Sequence, residues 1–280
     1  MFSPYYAWAR SHGGGDPLRH CAVNVALYGR GGKRWAMTER GADAVRRTQQ
    51  QLAIGPSELV WDGSGLSARI DEVAVPLPRR IRGRVRLLPA SVEAHEWTLD
   101  AGGRHRWYPI APCARAEVAL DSPALRWSGP AYLDCNTGSR PLEADFLHWD
   151  WSRSVVSGGT AISYDLRRRD VAPPSQQLRL ALLCRSAGGV ETVAPPPVVS
   201  LAPTRWGIER HVAVEPGHVP EAVTLEDTPF YARSIVTTRL LGQRVKAMHE
   251  TLSLERFRAP WVQAMLPFRM PRRLRRYGLG

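Results

Sequence analysis

The chain has 280 residues, 44% of them hydrophobic, which is the composition of an ordinary globular protein and a length for about two domains. Its formal net charge is +12, from 38 Lys and Arg against 26 Asp and Glu, and only Lys33 and Lys246 are lysines. A basic surface favours anionic partners, yet no helix-turn-helix or stacking-aromatic motif accompanies it, so nucleic acid is not expected as a partner. No run of 18 uncharged apolar residues exists, which excludes a transmembrane helix, and the start, MFSPYYAWARSHGGGD, lacks the basic and apolar regions of a signal peptide. Cys21, Cys113, Cys135 and Cys184 are widely spaced without a Cys-x-x-Cys pair and read as reduced thiols.

In chain order, residues 1–40 read as strands: Cys21–Tyr28 is a buried-strand run that stops at the Gly29–Gly32 turn, and Arg34–Thr38 is its hairpin partner. Residues 40–54, with Ala44, Val45, Leu52 and Ile54, form the one amphipathic helix expected in the first half. Glu58–Trp61 and Leu66–Ile70 flank Asp62-Gly63-Ser64-Gly65, a hairpin signal. Ile81–Leu87 alternates arginine with small or apolar residues, as a half-exposed strand does. A second hairpin runs from Phe146 to Val156, turns at Gly158-Gly159 and returns through Ala161–Leu166. Leu178–Arg185, His211–Val214 and Ser234–Thr238 are further strands, whereas the proline-rich 194–203 is a loop or edge segment. Leu252–Leu266 is expected to be helical. Many short strands at hairpin spacing predict an all-β fold of barrels or sandwiches.

The residues that bear chemistry concentrate in two stretches. His105-Arg106-Trp107-Tyr108 supplies a proton donor or acceptor and an aromatic face. GPAYLDCNTGSRPLEADFLHWDWSR supplies Tyr132, Asp134 and Asn136, then Trp149 and Trp151. His105, Trp107, Tyr132 and Asp134 are expected to meet in one pocket. His148, Trp149, Asp150 and Trp151 form a second cluster. His95-Glu96 lacks the second histidine of a zinc-protease motif, and neither a P-loop nor a dinucleotide fingerprint is present, so no metal and no cofactor is expected. At the C-terminal end Trp261, Met265, Leu266, Phe268 and Met270 stand beside Arg269, Arg272, Arg273, Arg275 and Arg276. That combination suits an interfacial segment on an anionic membrane, where five basic residues contribute at most about 5 kcal/mol.

FSPYYAWAR, HCAVNVALYG, RWAMTERG, AYLDCNTGSRPLE, FLHWDWSR and MHETLSLERFRAPWVQAMLPFRMPRR together resemble the carotenoid 1,2-hydratase family (hydroxyneurosporene synthase, CrtC type) over essentially the whole chain. The resemblance implies two tandem lipocalin-like (calycin-type) β-domains and a cofactor-independent hydratase of acyclic carotenoids; the reduced thiols and the basic C-terminal segment add the expectation of a cytoplasmic protein peripherally bound to the inner membrane. The expected divisions are 1–140, with an N-terminally short first domain, 141–258, and a basic amphipathic tail at 259–280. The family's His-x-Trp and Tyr-x-Asp fall on His105, Trp107, Tyr132 and Asp134 as catalytic residues; read apart from the resemblance, Trp149 and Trp151 are pocket wall or core of the second domain, and they and Asn136 are the expected substrate-site residues.

An alkene is a poor base, so hydration requires a strong acid, and Asp134 is the candidate for it, its proton expected to be retained in an apolar site because burial disfavours the charged form. Trp107 is expected to face the resulting cation. His105 orients Asp134 or takes a proton from the attacking water, and Tyr132 holds that water or the acid. The rival readings are a non-catalytic carrier of a long apolar polyene and a different cation-type activity on the same scaffold.

Overall fold

The computed structural model describes residues 2–29, 32–169 and 171–273. Arg275, Arg276 and the middle of the Gly29–Gly32 turn lie outside these residues. The chain folds into two compact units that are discontinuous in sequence. One comprises Met1–Leu88, Arg115–Gly129 and Gln263–Gly280, and the other Pro89–Ala114 and Pro130–Val262; the divisions expected from the sequence were 1–140, 141–258 and 259–280.

The first unit opens with helix α1 (Pro4–Ser11), where strands were expected. The signal for it is local: the Ser3 hydroxyl accepts from the Tyr6 N–H at 2.9 Å and Pro4 occupies the first helical turn, a favourable N-terminus. Strands β1 (Cys21–Leu27) and β2 (Arg34–Arg40) then pair as the expected hairpin.

The helix expected at 40–54 does not form. After a single 3-10 turn at Ala42–Ala44 come β3 (Val45–Arg47) and β4 (Gln51–Ile54), which pair Val45 with Ile54. The Thr48 hydroxyl accepts from the Gln50 and Gln51 N–H groups and closes that turn. A helix this short is marginal alone, and pairing buries Ala53 and Ile54.

Strands β5 (Ser57–Trp61) and β6 (Leu66–Val73) form the Asp-Gly-Ser-Gly hairpin. Asp62 Oδ1 accepts from the Ser64 N–H, the Ser64 hydroxyl and the Gly65 N–H, while Gly63 takes a positive φ of 89°. Next is β7 (Arg80–Pro89), whose Arg82, Arg84 and Arg86 are exposed as the alternation predicted. Val25, Ala36, Ala74 and Ile81 form an apolar cluster in this unit. Beside it sits a buried ion pair: the Arg40 guanidinium donates to Glu72 Oε2 at 2.7 Å and the Ser57 hydroxyl to Oε1 at 2.7 Å.

β8 (Trp97–Thr98) pairs with the long β9 (His105–Ser122), which is followed by β10 (Ala124–Gly138). The strand order of this sheet is β10-β9-β7-β6-β5-β4-β3. Helical turn α2 (Leu142–Asp145) leads to β11 (Phe146–Val156), β12 (Gly159–Arg168), β13 (Gln177–Arg185), β14 (Val190–Thr192), β15 (Val198–Leu201), β16 (Arg210–Ala213), β17 (Glu221–Asp227), β18 (Tyr231–Leu240) and β19 (Gln243–Ser253). Seven of these make the antiparallel sheet of the second unit, in the order β14-β13-β12-β11-β19-β18-β17, and β15-β16 form a separate pair. The proline-rich segment therefore does carry an edge strand. Side chains alternate along β11: Trp149 and Trp151 point to one face of the sheet, and His148, Asp150 and Ser152 to the other.

The helix expected from Leu252 starts later and ends further on. Leu252 pairs with Trp149 and Tyr231 inside the sheet. Helix α3 (Leu254–Arg258) begins at its Ser253 cap, and α4 (Pro260–Arg269) restarts at Pro260, which cannot donate to the preceding turn. Short β20 (Arg272–Arg273) pairs in parallel with β2, and Arg272 binds the buried Glu39. None of Cys21, Cys113, Cys135 and Cys184 forms a disulfide among the described residues.

Candidate active site

Alternation on β9 turns His105 and Trp107 inward while Arg106 points out to Glu96 at 3.0 Å. On β10 the same alternation gives Tyr132, Asp134 and Asn136 a common face. The Trp107 indole N–H donates to Asp134 Oδ2 at 2.8 Å, and the Tyr132 hydroxyl donates to the same oxygen at 3.0 Å. Trp107 is fully buried, packed between Trp97 (ring centroids 5.7 Å apart) and Tyr164 (5.1 Å). Its ring faces are thus covered by neighbours.

Burial raises the Asp134 pKa above the ordinary carboxylate value. The bonds from Trp107 and Tyr132 pull the other way, and the negative charge of Glu250 adds to the rise. Burial, then the Asp134 charge, push the Tyr132 phenol far upward, so it remains a donor. Tyr164 is driven up by burial as well.

His105 joins a different carboxylate. Its Nε2 lies 2.8 Å from Asp145 Oδ2, its backbone N–H donates to Asp100 Oδ1 at 2.7 Å, and its ring meets Phe146 edge-on at 4.9 Å. Asp145 also receives Arg104 at 2.9 Å and Arg140 at 3.2 Å. The ring is seated against Gly138, where an added Cβ would come within 2.7 Å of His105 Nδ1. Trp107, Tyr132 and Asp134 therefore form one hydrogen-bonded group, and His105 is one inward position away with Asp145 as its partner.

The other expected residues surround this group. The Trp151 ring lies 5.3 Å from Tyr132 and the Trp149 ring 6.0 Å from Tyr164. The Tyr164 hydroxyl donates to Asn136 Oδ1 at 3.4 Å, although Asn136 is itself exposed. The Trp151 indole N–H is buried and has no hydrogen-bond partner among the described residues. Arg153 lies over the Tyr132 ring at 5.7 Å and donates to the Ala131 carbonyl. Sequence reading missed Asp145, Tyr164, Trp97 and Glu250. Only Tyr164, an aromatic within a recognised strand, carried a signal that could have found it.

The profile of the carotenoid hydratase family, CrtC, matches residues 1–277. The chain belongs to this family. It is 55% identical over 274 residues to the acyclic carotenoid 1,2-hydratase of Thiocapsa roseopersicina, covering 97% of this chain and 67% of that one. The enzyme of the same name from Rubrivivax gelatinosus is 50% identical, with 98% of this chain and 67% of the relative covered. That of Cereibacter sphaeroides is 42% identical, with 98% and 95% covered. A solved structure from Nitrosomonas europaea, provisionally called AttH, shares the fold with a TM-score of 0.54 at 13% identity, over 83% of this chain and 80% of that one. Together with the sheets described above, this fits the all-β, lipocalin-like architecture expected for the carotenoid hydratase family.

Proposed function

We propose that this chain is an acyclic carotenoid 1,2-hydratase, a hydro-lyase that adds water across the terminal C1=C2 double bond of substrates such as neurosporene or lycopene. The observation that carries the reading is the Asp134 carboxyl, raised in pKa and held through one oxygen by Trp107 and Tyr132. Because Oδ2 accepts both bonds, the acidic proton belongs on Oδ1. The alkene π pair takes that proton at C2, leaving a tertiary cation at C1 and a carboxylate at Asp134. The two donors on Oδ2 stabilise the carboxylate as it forms, when charge-assisted bonds are strongest. Water attacks C1, and the resulting oxonium returns a proton to Asp134. The cycle closes on the chain's own acid and asks nothing of a cofactor.

The covered faces of Trp107 favour a donor role for it over the cation-facing role. Trp149 and Trp151, both part-exposed, are the better candidates to face the cation. His105, bound to Asp145, is a positioning residue for the β9–β10 end of the site. Trp107→Phe and Tyr132→Phe each remove one bond to a charge-developing oxygen. Each is expected to lower kcat by about tenfold to a hundredfold, the equivalent of about 1.5–3 kcal/mol. Steady-state rates on lycopene in micelles check this, and unchanged rates in both would dismiss the two donors.

The deciding assay mixes the purified chain with neurosporene or lycopene in ¹⁸O-labelled water. A tertiary alcohol carrying the label supports hydration; substrate bound but unchanged supports a carrier.

Peripheral contact with an anionic membrane is part of the same proposal. No helix among the described residues is long and apolar enough to cross a membrane. On α4, Trp261, Met265 and Phe268 are exposed, Phe268 by 80%, and Trp206 stacks near Trp261 at 6.1 Å. Leu266 and Met270, expected as wedges, are buried, and Arg269 and Arg272 engage Trp35 and Glu39. Arg273 is exposed, and the three exposed apolar side chains of α4 are the part of this contact that a triple variant addresses. Trp261→Ser/Met265→Ser/Phe268→Ser is expected to lose most partitioning onto anionic vesicles in a flotation assay, and unchanged partitioning would rule the contact out.

A further inference from the structure

The face of β11 opposite Trp149 and Trp151 carries a second constellation that the hydration chemistry does not use. His148 and Asp150 come from β11, and β16, more than sixty residues later in the chain, brings His211 to the same carboxylate oxygen. His148 Nε2 lies 3.2 Å and His211 Nδ1 3.4 Å from Asp150 Oδ2, and the three atoms lie within 4.8 Å of one another. Ligand atoms bonded at about 2.0–2.1 Å to one ion sit roughly 2.8–3.0 Å apart in an octahedral array and roughly 3.3–3.4 Å apart in a tetrahedral one, a range of about 2.8–3.4 Å. Both measured separations fall at that spacing.

The support around the carboxylate is built as well. Asp150 is buried, and its other oxygen, Oδ1, receives the Thr251 hydroxyl at 2.5 Å, so Oδ2 is the atom turned to the two imidazoles. His249 lies 3.6 Å from Oδ1 and is itself fixed by Ser152 at 2.7 Å. β-pairing enforces this arrangement, since Asp150 stands opposite Thr251 and Ser152 opposite His249. His148, Asp150 and His211 line a cavity of about 250 Å³ that also holds Asp165, Arg167 and Glu209. Asp165 is already bound by Arg179 at 3.1 Å and by Gln177. The cavity therefore gives access to the triad and leaves room beside it for water.

We propose that His148 Nε2, His211 Nδ1 and Asp150 Oδ2 bind one divalent first-row transition-metal ion, with open coordination positions toward this cavity. Two imidazoles and one carboxylate suit zinc, iron or cobalt and disfavour magnesium or calcium, which take oxygen ligands. Thr251 and His249 orient the carboxylate, in the way outer partners of metal ligands do. The ion would tie β16 to β11 on the face of the sheet away from Asp134.

The test is metal binding by the full chain, prepared without a histidine tag and stripped with chelator. Co²⁺ and Zn²⁺ are titrated by calorimetry, and the Co²⁺ form is examined by visible absorption and by paramagnetically shifted proton NMR. The expected result is one ion per chain, with two shifted imidazole N–H signals. His148→Gln and His211→Gln should each weaken binding by about a hundredfold or more, and His249→Gln by about tenfold to a hundredfold. His148 and His211 are part-exposed, so their replacement leaves no void, and circular dichroism verifies each fold. The wild-type spectra need no variant at all. Absence of saturable binding, binding without imidazole signals, or undiminished binding in His148→Gln/His211→Gln would each overturn the site. Hydration activity plays no part in this readout, so the site stands or falls apart from the proposed function.

Discussion

Asp134→Asn is expected to lower kcat by about 10²–10⁴-fold, the range a positioned proton donor supplies, while carotenoid binding is retained. Asparagine has nearly the same shape and still accepts from Trp107 and Tyr132 through its carbonyl oxygen, but its amide is far too weak an acid to protonate an alkene. The loss should therefore fall on kcat and leave KM nearly unchanged, because the interaction removed is one made in the transition state. Product formation in labelled water measures turnover, and quenching of the nearby Trp149 and Trp151 fluorescence measures binding. Near-normal turnover would remove Asp134 as the acid. The wild-type pH profile follows from the same residue with a definite sign. The reactive form is the protonated one, and burial raises the Asp134 pKa. Activity should be full at pH values below that raised pKa and fall tenfold per pH unit above it. The Tyr132 phenol, shifted far upward, does not titrate in that window. A rate that instead increased with pH through the neutral range would point to a base in control.

Glu72→Ala carries the largest expected effect on stability. The Arg40–Glu72 pair is buried on both sides, with Glu72 1% and Arg40 5% exposed. Removing the carboxylate leaves a guanidinium in the interior without its counter-charge, which costs about 3–5 kcal/mol. The Ser57 hydroxyl loses its acceptor at the same time. Urea unfolding followed by circular dichroism should show a lower midpoint, and Arg40→Met/Glu72→Leu should recover much of the loss, because it removes both charges together. A cost below about 1 kcal/mol in Glu72→Ala would mean that water reaches Arg40. Both residues lie in the unit that does not contain Asp134, so the variant separates stability from chemistry.

Much of this protein was legible locally. Period-two alternation and the Asp62–Gly65 and Gly158-Gly159 turns located the hairpins, since a strand's two faces and a tight turn depend on neighbours in sequence. Tyr-x-Asp and His-x-Trp, each at a spacing of two, put each pair on one face of a strand, and it was the family resemblance that marked His105, Trp107, Tyr132 and Asp134 as catalytic. Other features depended on pairing at long range. Val45 opposite Ile54 turned a short helical pattern into a hairpin, and Leu252 was drawn into the sheet beside Trp149. The partner of His105 is Asp145, forty residues on, at the end of a four-residue helical turn that has no periodic signature. His211 meets Asp150 only because the β15-β16 pair carries it there. The residue types and their alternation were thus determined by the sequence alone. Which carboxylate each histidine faces, and which aromatic rings are covered, were decided by strand order and packing, because those contacts join segments that carry no local mark of one another.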